Sequence, residues 1–223
     1  MSGFLYRLER SIRRRVQSPE AYRAWRDEKA LVRWDQAGRP APPPHGVKVR
    51  AVLEHARRFK APTFVETGTY QGAMIDAVRG AFMTVHSIEL DVPLYEAAVK
   101  KFATDDAIHI HQGDSGEVLA QLMTTIDTPC LFWLDGHYSE GFTACGAEAS
   151  PVLKELETIW AHPVLEHIIL IDDARCFSGE DGYPTLDALR DLTAQRRPDF
   201  AFHVVDDVIR IHALPGSRGA DEA

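Results

Sequence analysis

The sequence predicts an α/β fold: a mostly parallel sheet with helices on both faces and an antiparallel hairpin at the C-terminal end. Three observations predict it. Five short apolar, β-branched runs, at 63–67, 84–90, 107–112, 130–134 and 167–171, alternate with segments whose apolar residues have helical spacing. Strands alternating with helices give a parallel sheet with right-handed crossovers. Two further runs, Ala201–Val205 and Val208–Leu214, are split by Asp206-Asp207 and form a hairpin pattern. Finally, Phe64-Val65-Glu66-Thr67-Gly68-Thr69-Tyr70-Gln71-Gly72 starts as a strand, becomes a glycine-spaced loop and opens a helical segment. Open α/β sheets bind nucleotides with such a unit.

The chain has 223 residues, enough for one well-buried domain and an extension. Hydrophobic residues make up 45% and charged residues 26%, as in soluble globular proteins. No apolar run approaches the roughly 20 residues that span a bilayer. The arginine-rich N-terminus lacks the apolar centre of a signal peptide. Cys130, Cys145 and Cys176 form no disulfide framework, and a reducing, cytoplasmic setting is expected. The net charge of −8 is unevenly spread. Residues 1–60 carry 15 Lys and Arg against 6 Asp and Glu, while 61–223 carry 10 against 27. A basic arm on an acidic body predicts a separate docking role for the arm. It argues against a broad nucleic-acid groove on the main domain.

In order, residues 4–16 have a helical stripe of Leu5, Leu8, Ile12 and Val16 among arginines. A second helix, about Pro19 to Trp34, carries Tyr22, Trp25, Leu31 and Trp34. These helices would pack on the body or on a second subunit. The alternatives are a membrane surface or polyanionic glycan, and nucleic acid. The run 38–46 is a proline-rich, stiff linker. The basic arm and linker thus span 1–46, the main domain 47–214, and a disordered tail 215–223. Within the domain, helices are predicted over 47–59, 73–79, 92–103, 116–123 and 150–160, with a last one starting near Pro184. Ser150 and Pro151 suit an N-cap and a first helical residue. Residues Tyr138–Ala149, with Gly141 and Gly146, suit a mobile lid over an acceptor.

Ligands of such sheets bind at the carboxyl ends of the strands. There the sequence places Glu66 and Gly68, then Glu89, then Asp114-Ser115, then Asp135-Gly136-His137, then Asp172-Asp173-Ala174-Arg175. The first motif is Glu-x-Gly-x-x-x-Gly. An acid before its first glycine would repel a pyrophosphate and suits a ligand with a cationic amino group. Glu89 lies 21 residues after Gly68, near the spacing of about 20 at which an acid holds ribose hydroxyls. Asp114 and Ser115 are placed to meet an adenine edge. Each tip alone is also explained as a turn or a helix cap; five at one sheet edge are harder to explain so.

With these residues the segment from about Val47 to Leu214 resembles the class I S-adenosylmethionine-dependent methyltransferases. The resemblance implies a Rossmann-like, seven-stranded, mostly parallel sheet with an antiparallel C-terminal hairpin. It implies that Glu66, Gly68, Thr69, Tyr70 and Gly72 surround the methionine part, with Glu89 on the ribose, Asp114 and Ser115 at the adenine, and Asp135 beside the cofactor. Tyr70 stands where the family loop commonly has its middle glycine. Asp135 with Asp172-Asp173 resembles the metal-dependent, macrocin-type sugar O-methyltransferases, where the corresponding acids hold magnesium. The Asn/Asp-Pro-Pro-aromatic motif of nucleic-acid amino-methylating relatives is absent at Leu134-Asp135-Gly136-His137, so nucleic acid is disfavoured as acceptor.

The expected function is O-methylation of a hydroxyl on a small molecule or glycan. Asp135, Asp172 and Asp173 would hold a divalent cation, Mg²⁺ first, from strands 4 and 5, adjacent at the switch of the sheet. His137 would be the general base and Asp135 would assist it, since an imidazole near pKa 6.5 suits proton removal at neutral pH. Two other classes stay open: a non-catalytic binder or scaffold, and a metal-dependent hydrolase or oxygenase-like enzyme on the same fold. Self-association is also open.

Overall fold

The computed structural model describes residues 7, 10–11, 13–14, 18–136, 151–180 and 182–214. The chain divides into two compact units, Met1–Lys48 and Val49–Ala223. In the first, helix α1 spans Pro19–Gln36, two residues past the predicted end. The Ser18 side chain caps it by accepting from the Ala21 amide. Trp25 and Trp34 are buried, and the Trp34 indole donates to the Pro40 carbonyl at 2.7 Å. Of residues 4–16, only Arg7, Arg10, Ser11, Arg13 and Arg14 are described, all helical; the apolar stripe predicted there and the tail 215–223 lie outside the described residues. Helix α2, His45–Phe59, starts two residues earlier than predicted. The proline run ends at Pro44, whose carbonyl accepts from the Val47 amide and starts the helix within the predicted linker.

The second unit holds a seven-stranded sheet. Its strands are β1 (Thr63–Thr67), β2 (Thr84–Glu89), β3 (Ile108–Gln112), β4 (Cys130–Leu134), β5 (Ile168–Ile171), β6 (Phe200–Val205) and β7 (Val208–Ala213). The order is β3-β2-β1-β4-β5-β7-β6, with β7 antiparallel to both its neighbours. This is the predicted Rossmann-like, mostly parallel sheet with a terminal antiparallel hairpin. The hairpin turns at Asp206 and Asp207, with φ of 53° and 62°. Both central residues are left-handed, as a two-residue turn matching strand twist requires.

Alternation along the strands sorts the core into two layers. Phe64, Val85, Leu131, Trp133, Ile168, Leu170 and Val208 face one side. There they meet α2, α3 (Ala73–Val78) and α4 (Val92–Phe102) through Val52, Ala56, Ile75 and Phe102. Val65, Ile88, Phe132, Ile169 and Ile211 face the other. They pack on α5 (Ser115–Met123), α6 (Val152–Trp160) and α7 (Leu186–Arg196) through Leu119, Leu156 and Leu189. Pro151 is the N-cap of α6, not its first helical residue, and Ser150 lies outside the described residues. The order of crossovers reverses between β1 and β4. The switch therefore lies there, not between β4 and β5 as expected, although those two strands are adjacent. A ligand crevice is expected outside the carboxyl ends at this point.

At the amino ends of β4 and β5 a chain of buried histidines fixes its own tautomers. His167 Nδ1 accepts the Cys130 N–H at 3.0 Å, so its proton is on Nε2. That N–H meets His162 Nδ1 at 2.9 Å, and His162 Nε2 in turn donates to the Met123 carbonyl at 3.1 Å. Burial foremost, then the His162 and Arg197 charges, push His167 down from 6.5 to about 3. As pH falls, the unfolded chain therefore takes this proton first. The stabilisation is complete above the unfolded value and is lost as pH falls toward 3, by up to about 1.4 kcal/mol per pH unit. Replacing His167 by Phe should cost about 1–3 kcal/mol at pH 7.5, because the buried Cys130 N–H loses its acceptor. It should also flatten the loss of stability between pH 6.5 and 5 in urea melts. An unchanged slope would shift that sensitivity to His86, which burial, then His111 and His109, hold at about 4.

Candidate functional site

At the tip of β1 the Glu66 side chain turns to the α2–α4 face and is 2% exposed. The Ser87 hydroxyl of β2 donates to Glu66 Oε2 at 2.6 Å. Ser87 Oγ lies 2.6 Å from Thr69 Oγ1, so Thr69 donates to Ser87 and Ser87 to Glu66. Burial raises the Glu66 pKa to about 8; the Ser87 bond opposes this and the neighbouring Glu89 adds to it. Burial thus favours the neutral form of the Glu66 carboxyl, against the pull of the Lys101 charge, and a further cation beside it would favour the ionised form.

The glycine loop has two different reasons for its glycines. Gly68 has φ +87°, and a Cβ there would lie 2.4 Å from the Asp135 carbonyl oxygen. The loop must cross against the end of β4, and only glycine allows it. Gly72 has φ +66°, and a Cβ would lie 2.7 Å from the Phe102 ring of α4. Its requirement is therefore met within the protein. Between them Tyr70 takes φ 48° with its side chain 51% exposed. Its N–H donates to Glu89 Oε2 at 2.7 Å. Glu89 Oε1 accepts from the Asp91 N–H at 2.9 Å, so each Glu89 oxygen already holds one backbone amide. A carboxylate oxygen has a second lone pair for a ligand hydroxyl.

Asp114 caps α5, accepting the Gly116 N–H at 2.9 Å, and Ser115 is buried as the first helical residue. On these strand ends Glu66, Gly68, Thr69, Tyr70, Glu89, Asp114 and Ser115 all come to the carboxyl edge of three adjacent strands.

Asp135 and Asp172 extend the ladder beyond the strands. The Asp135 amide donates to the Thr67 carbonyl at 3.0 Å, and the Asp172 amide to the Leu134 carbonyl at 3.0 Å. Asp172 is wholly buried, and its Oδ1 accepts the Asp173 N–H at 2.8 Å. Asp173 takes a left-handed φ of 55° and pairs with Arg175 at 2.8 Å. Arg175 also binds the Asp207 carboxylate at the hairpin tip. Of the three acids expected at a cation, Asp173 is the one that holds Arg175. Among the described residues no group of three or more His, Cys, Asp or Glu is placed to hold a metal ion. His137 and the predicted lid Tyr138–Ala149, with Cys145, lie outside the described residues. Among the described residues no helix is long and apolar enough to cross a membrane.

Three side chains at this edge were not singled out from the sequence. Ser87 relays Thr69 to Glu66. Lys101 of α4 donates to the Gln71 carbonyl at 2.7 Å and to the Gly72 carbonyl at 3.2 Å, and pairs with Asp76 at 2.7 Å, holding the far half of the loop. Glu155 of α6 is 1% exposed on the other face of the sheet. Burial raises it to about 7, while the nearby Ser115 and Thr67 hydroxyls pull it down. Glu155 Oε1 and Thr67 Oγ1 both lack a partner at full hydrogen-bond geometry. A buried carboxyl whose ionisation is disfavoured thus stands behind the tip of β1 and the start of α5. Its signal was an acid in the apolar stripe of Val152, Leu156 and Ile159.

The sequence matches no protein-family model, and no curated protein matches it. Solved structures do resemble it in fold. The SAH-bound Podospora anserina methyltransferase PaMTH1 is 19% identical, with 95% of each chain covered and a TM-score of 0.53. The O-methyltransferase TomG from Streptomyces achromogenes, involved in tomaymycin synthesis and solved with SAM, is 14% identical; 84% of this chain and 88% of that one are covered, with a TM-score of 0.56. An O-methyltransferase from Bacillus cereus in complex with SAH is 12% identical over 84% and 89%, with a TM-score of 0.57. The fold is the one these methyltransferases share.

The Gly68 contact gives a direct test. Gly68→Ala adds a Cβ against the Asp135 backbone at a positive φ, so a loss of at least about 2 kcal/mol is expected in urea melts. Gly80→Ala, with open space around its Cβ, should leave stability within about 1 kcal/mol of wild type.

Proposed function

We propose that this protein is an S-adenosylmethionine-dependent methyltransferase that methylates a hydroxyl of a small molecule or glycan. The single observation carrying this reading is the Glu66 carboxyl, buried beside the glycine loop with the Ser87 hydroxyl on it, at the switch point of a methyltransferase fold. Burying a carboxyl without a counter-charge is costly, and an incoming ammonium removes that cost. The α-amino group of the methionine part meets this need. Glu89 then holds the ribose hydroxyls with its second lone pairs, and Asp114 and Ser115 face the adenine.

The cofactor supplies a methyl group on a positively charged sulfur. Transfer breaks that carbon–sulfur bond and forms a carbon–oxygen bond, leaving S-adenosylhomocysteine, a methyl ether and the hydroxyl's proton. The chain must orient the acceptor oxygen in line with the methyl and receive the proton. Asp135, on the ladder step beside Gly68, borders the reacting position, and His137 two residues on is the proposed base. Assistance by Mg²⁺ would have to rest on Asp135 and Asp172 with water completing the shell, because Asp173 is committed to Arg175. The fold of the solved O-methyltransferases supports oxygen as the acceptor atom.

Calorimetry with S-adenosylhomocysteine tests the reading. Ionising Glu66 on binding should release protons at pH 6–7, so affinity should rise toward pH 8 by up to about tenfold per pH unit. Glu66→Gln should remove that dependence. No binding at any pH would overturn the cofactor assignment. Methyl transfer to a found acceptor that is unchanged in EDTA would remove the cation and leave the transfer. His137→Ala at wild-type kcat would remove the base.

A further inference from the structure

A second cluster of charge lies away from the residues assigned to methyl transfer. A cavity of about 250 Å³ opens between α2 and the β6–β7 hairpin. Glu54, His55 and Arg58 line it from the helix, and His203, Arg210 and His212 from the strands. The register explains their convergence. His203 pairs with Arg210 and Ala201 with His212, so 203, 210 and 212 share one face of the hairpin. Val208 lies on the same face and packs in the core layer of Val52 and Ala56, which sets α2 against it.

The cluster is cationic and incompletely partnered. Among the described residues Arg210 Nε is buried with no hydrogen-bond partner; the guanidinium reaches the Val205 carbonyl at 3.5 Å and feels the charges of Asp206 and Glu54. Two acids stand at the rim, and both face Arg50: Glu54 at 4.0 Å and Asp206 at 4.0 Å. His55 Nδ1 lies 2.8 Å from the Ala51 carbonyl and His212 Nδ1 lies 3.0 Å from the Ala213 carbonyl. Each therefore carries its proton on Nδ1 and leaves Nε2 for another group. The rings of His55 and His203 lie 5.7 Å and 6.1 Å from that of His212. Guanidinium charges beside imidazole rings around one cavity disfavour protonation of the rings unless an anion joins them.

We propose that this cavity binds a tetrahedral oxyanion, phosphate or the phosphate of a small monoester, between Arg58, Arg210 and the rings of His55, His203 and His212. Burial first, then the surrounding Arg and His charges, hold His55 and His212 below the ordinary imidazole range, against the pull of their carbonyl bonds. An anion offsets those charges, so the rings take up protons as it binds, and binding tightens as pH falls. Glu54, on the cavity wall, opposes the anion.

The test uses the full chain and sulfate, whose charge is constant across the pH range. Histidine ring signals are followed by NMR during titration. His55, His203 and His212 should shift saturably, with affinity about fivefold or more higher at pH 6.0 than at pH 7.5. Arg58 and Glu54 are exposed, so their variants should fold. Arg58→Gln should weaken sulfate about tenfold, as loss of a charged hydrogen bond does, and Glu54→Gln should tighten it. Binding of glycerol 3-phosphate at the same rings assigns the cavity to an ester, and binding of inorganic phosphate alone assigns it to the free ion; either supports the proposal. Equal shifts with sodium chloride at matched ionic strength, or wild-type affinity in Arg58→Gln, would overturn it.

Discussion

The structure turns on the close passage of the Gly68 backbone over the carbonyl of Asp135. β1 and β4 run side by side, and their chains depart in different directions from the same edge. For the β1 loop to leave toward α3 it must cross the end of β4 with no side chain between, and a Cβ would sit 2.4 Å from that carbonyl. This one contact sets where the loop begins. The rest of the loop is then tied from β2 and α4: Glu89 takes the Tyr70 amide, and Lys101 takes the Gln71 and Gly72 carbonyls. A loop held this way at both ends can carry a non-glycine residue at the strained Tyr70 position without coming loose. It also explains how the chain keeps the loop with tyrosine and not glycine at its middle position.

Buried acids near the carboxyl edge and a buried histidine at the amino edge respond to pH with opposite sign. Glu66 and Glu155, near the carboxyl edge, have raised pKa values, so the folded protein holds their protons more tightly than the unfolded chain. Their contribution becomes less favourable as pH rises from the ordinary carboxyl range toward 7–8. His167, at the amino edge, has the opposite dependence. Stability is thus weakened in acid by the histidine end and at neutral pH by the acid end. The histidine chain is satisfied from ring to ring down to a backbone carbonyl. The acids are less complete, with an unpartnered oxygen on Glu155. The unpartnered Glu155 oxygen leaves electrostatic demand at the carboxyl edge, where a ligand can answer it.

Much of the fold was legible because each signal was local and redundant. The strand at 130–134 is an uninterrupted apolar run, unlike the spaced stripe of an amphipathic helix, and 63–67 is short, carries β-branched residues and runs straight into the glycine loop. The hairpin announced itself by an Asp-Asp pair between two β-branched runs. Helix starts were misplaced by one or two residues where a proline allowed two readings, as at His45 and Pro151. The candidate site was legible as a set of strand-end residues but not as a set of contacts. Sequence order put Glu89 near Gly68, yet could not tell that its oxygens first secure the amides of Tyr70 and Asp91. Gly72 looked like a ligand-facing glycine, and the Phe102 ring that requires it comes from 30 residues away. Long-range packing of this kind leaves no pattern in a local window.

The acids after β5 show how a shared composition can hide divided roles. Asp172 and Asp173 are neighbours in sequence, but the left-handed turn at Asp173 separates their duties. Asp172 stays on the ladder beside β4, buried, with one oxygen on the next amide. Asp173 turns to Arg175, which also meets Asp207 at the hairpin tip, while the Ala174 and Arg175 amides bind Asp207 as well. One carboxylate of the pair thereby fastens the hairpin to the end of β5. The hairpin in turn presents His203, Arg210 and His212 toward α2. The same short turn therefore sits between the buried Asp172 and the hairpin whose strands line the cavity.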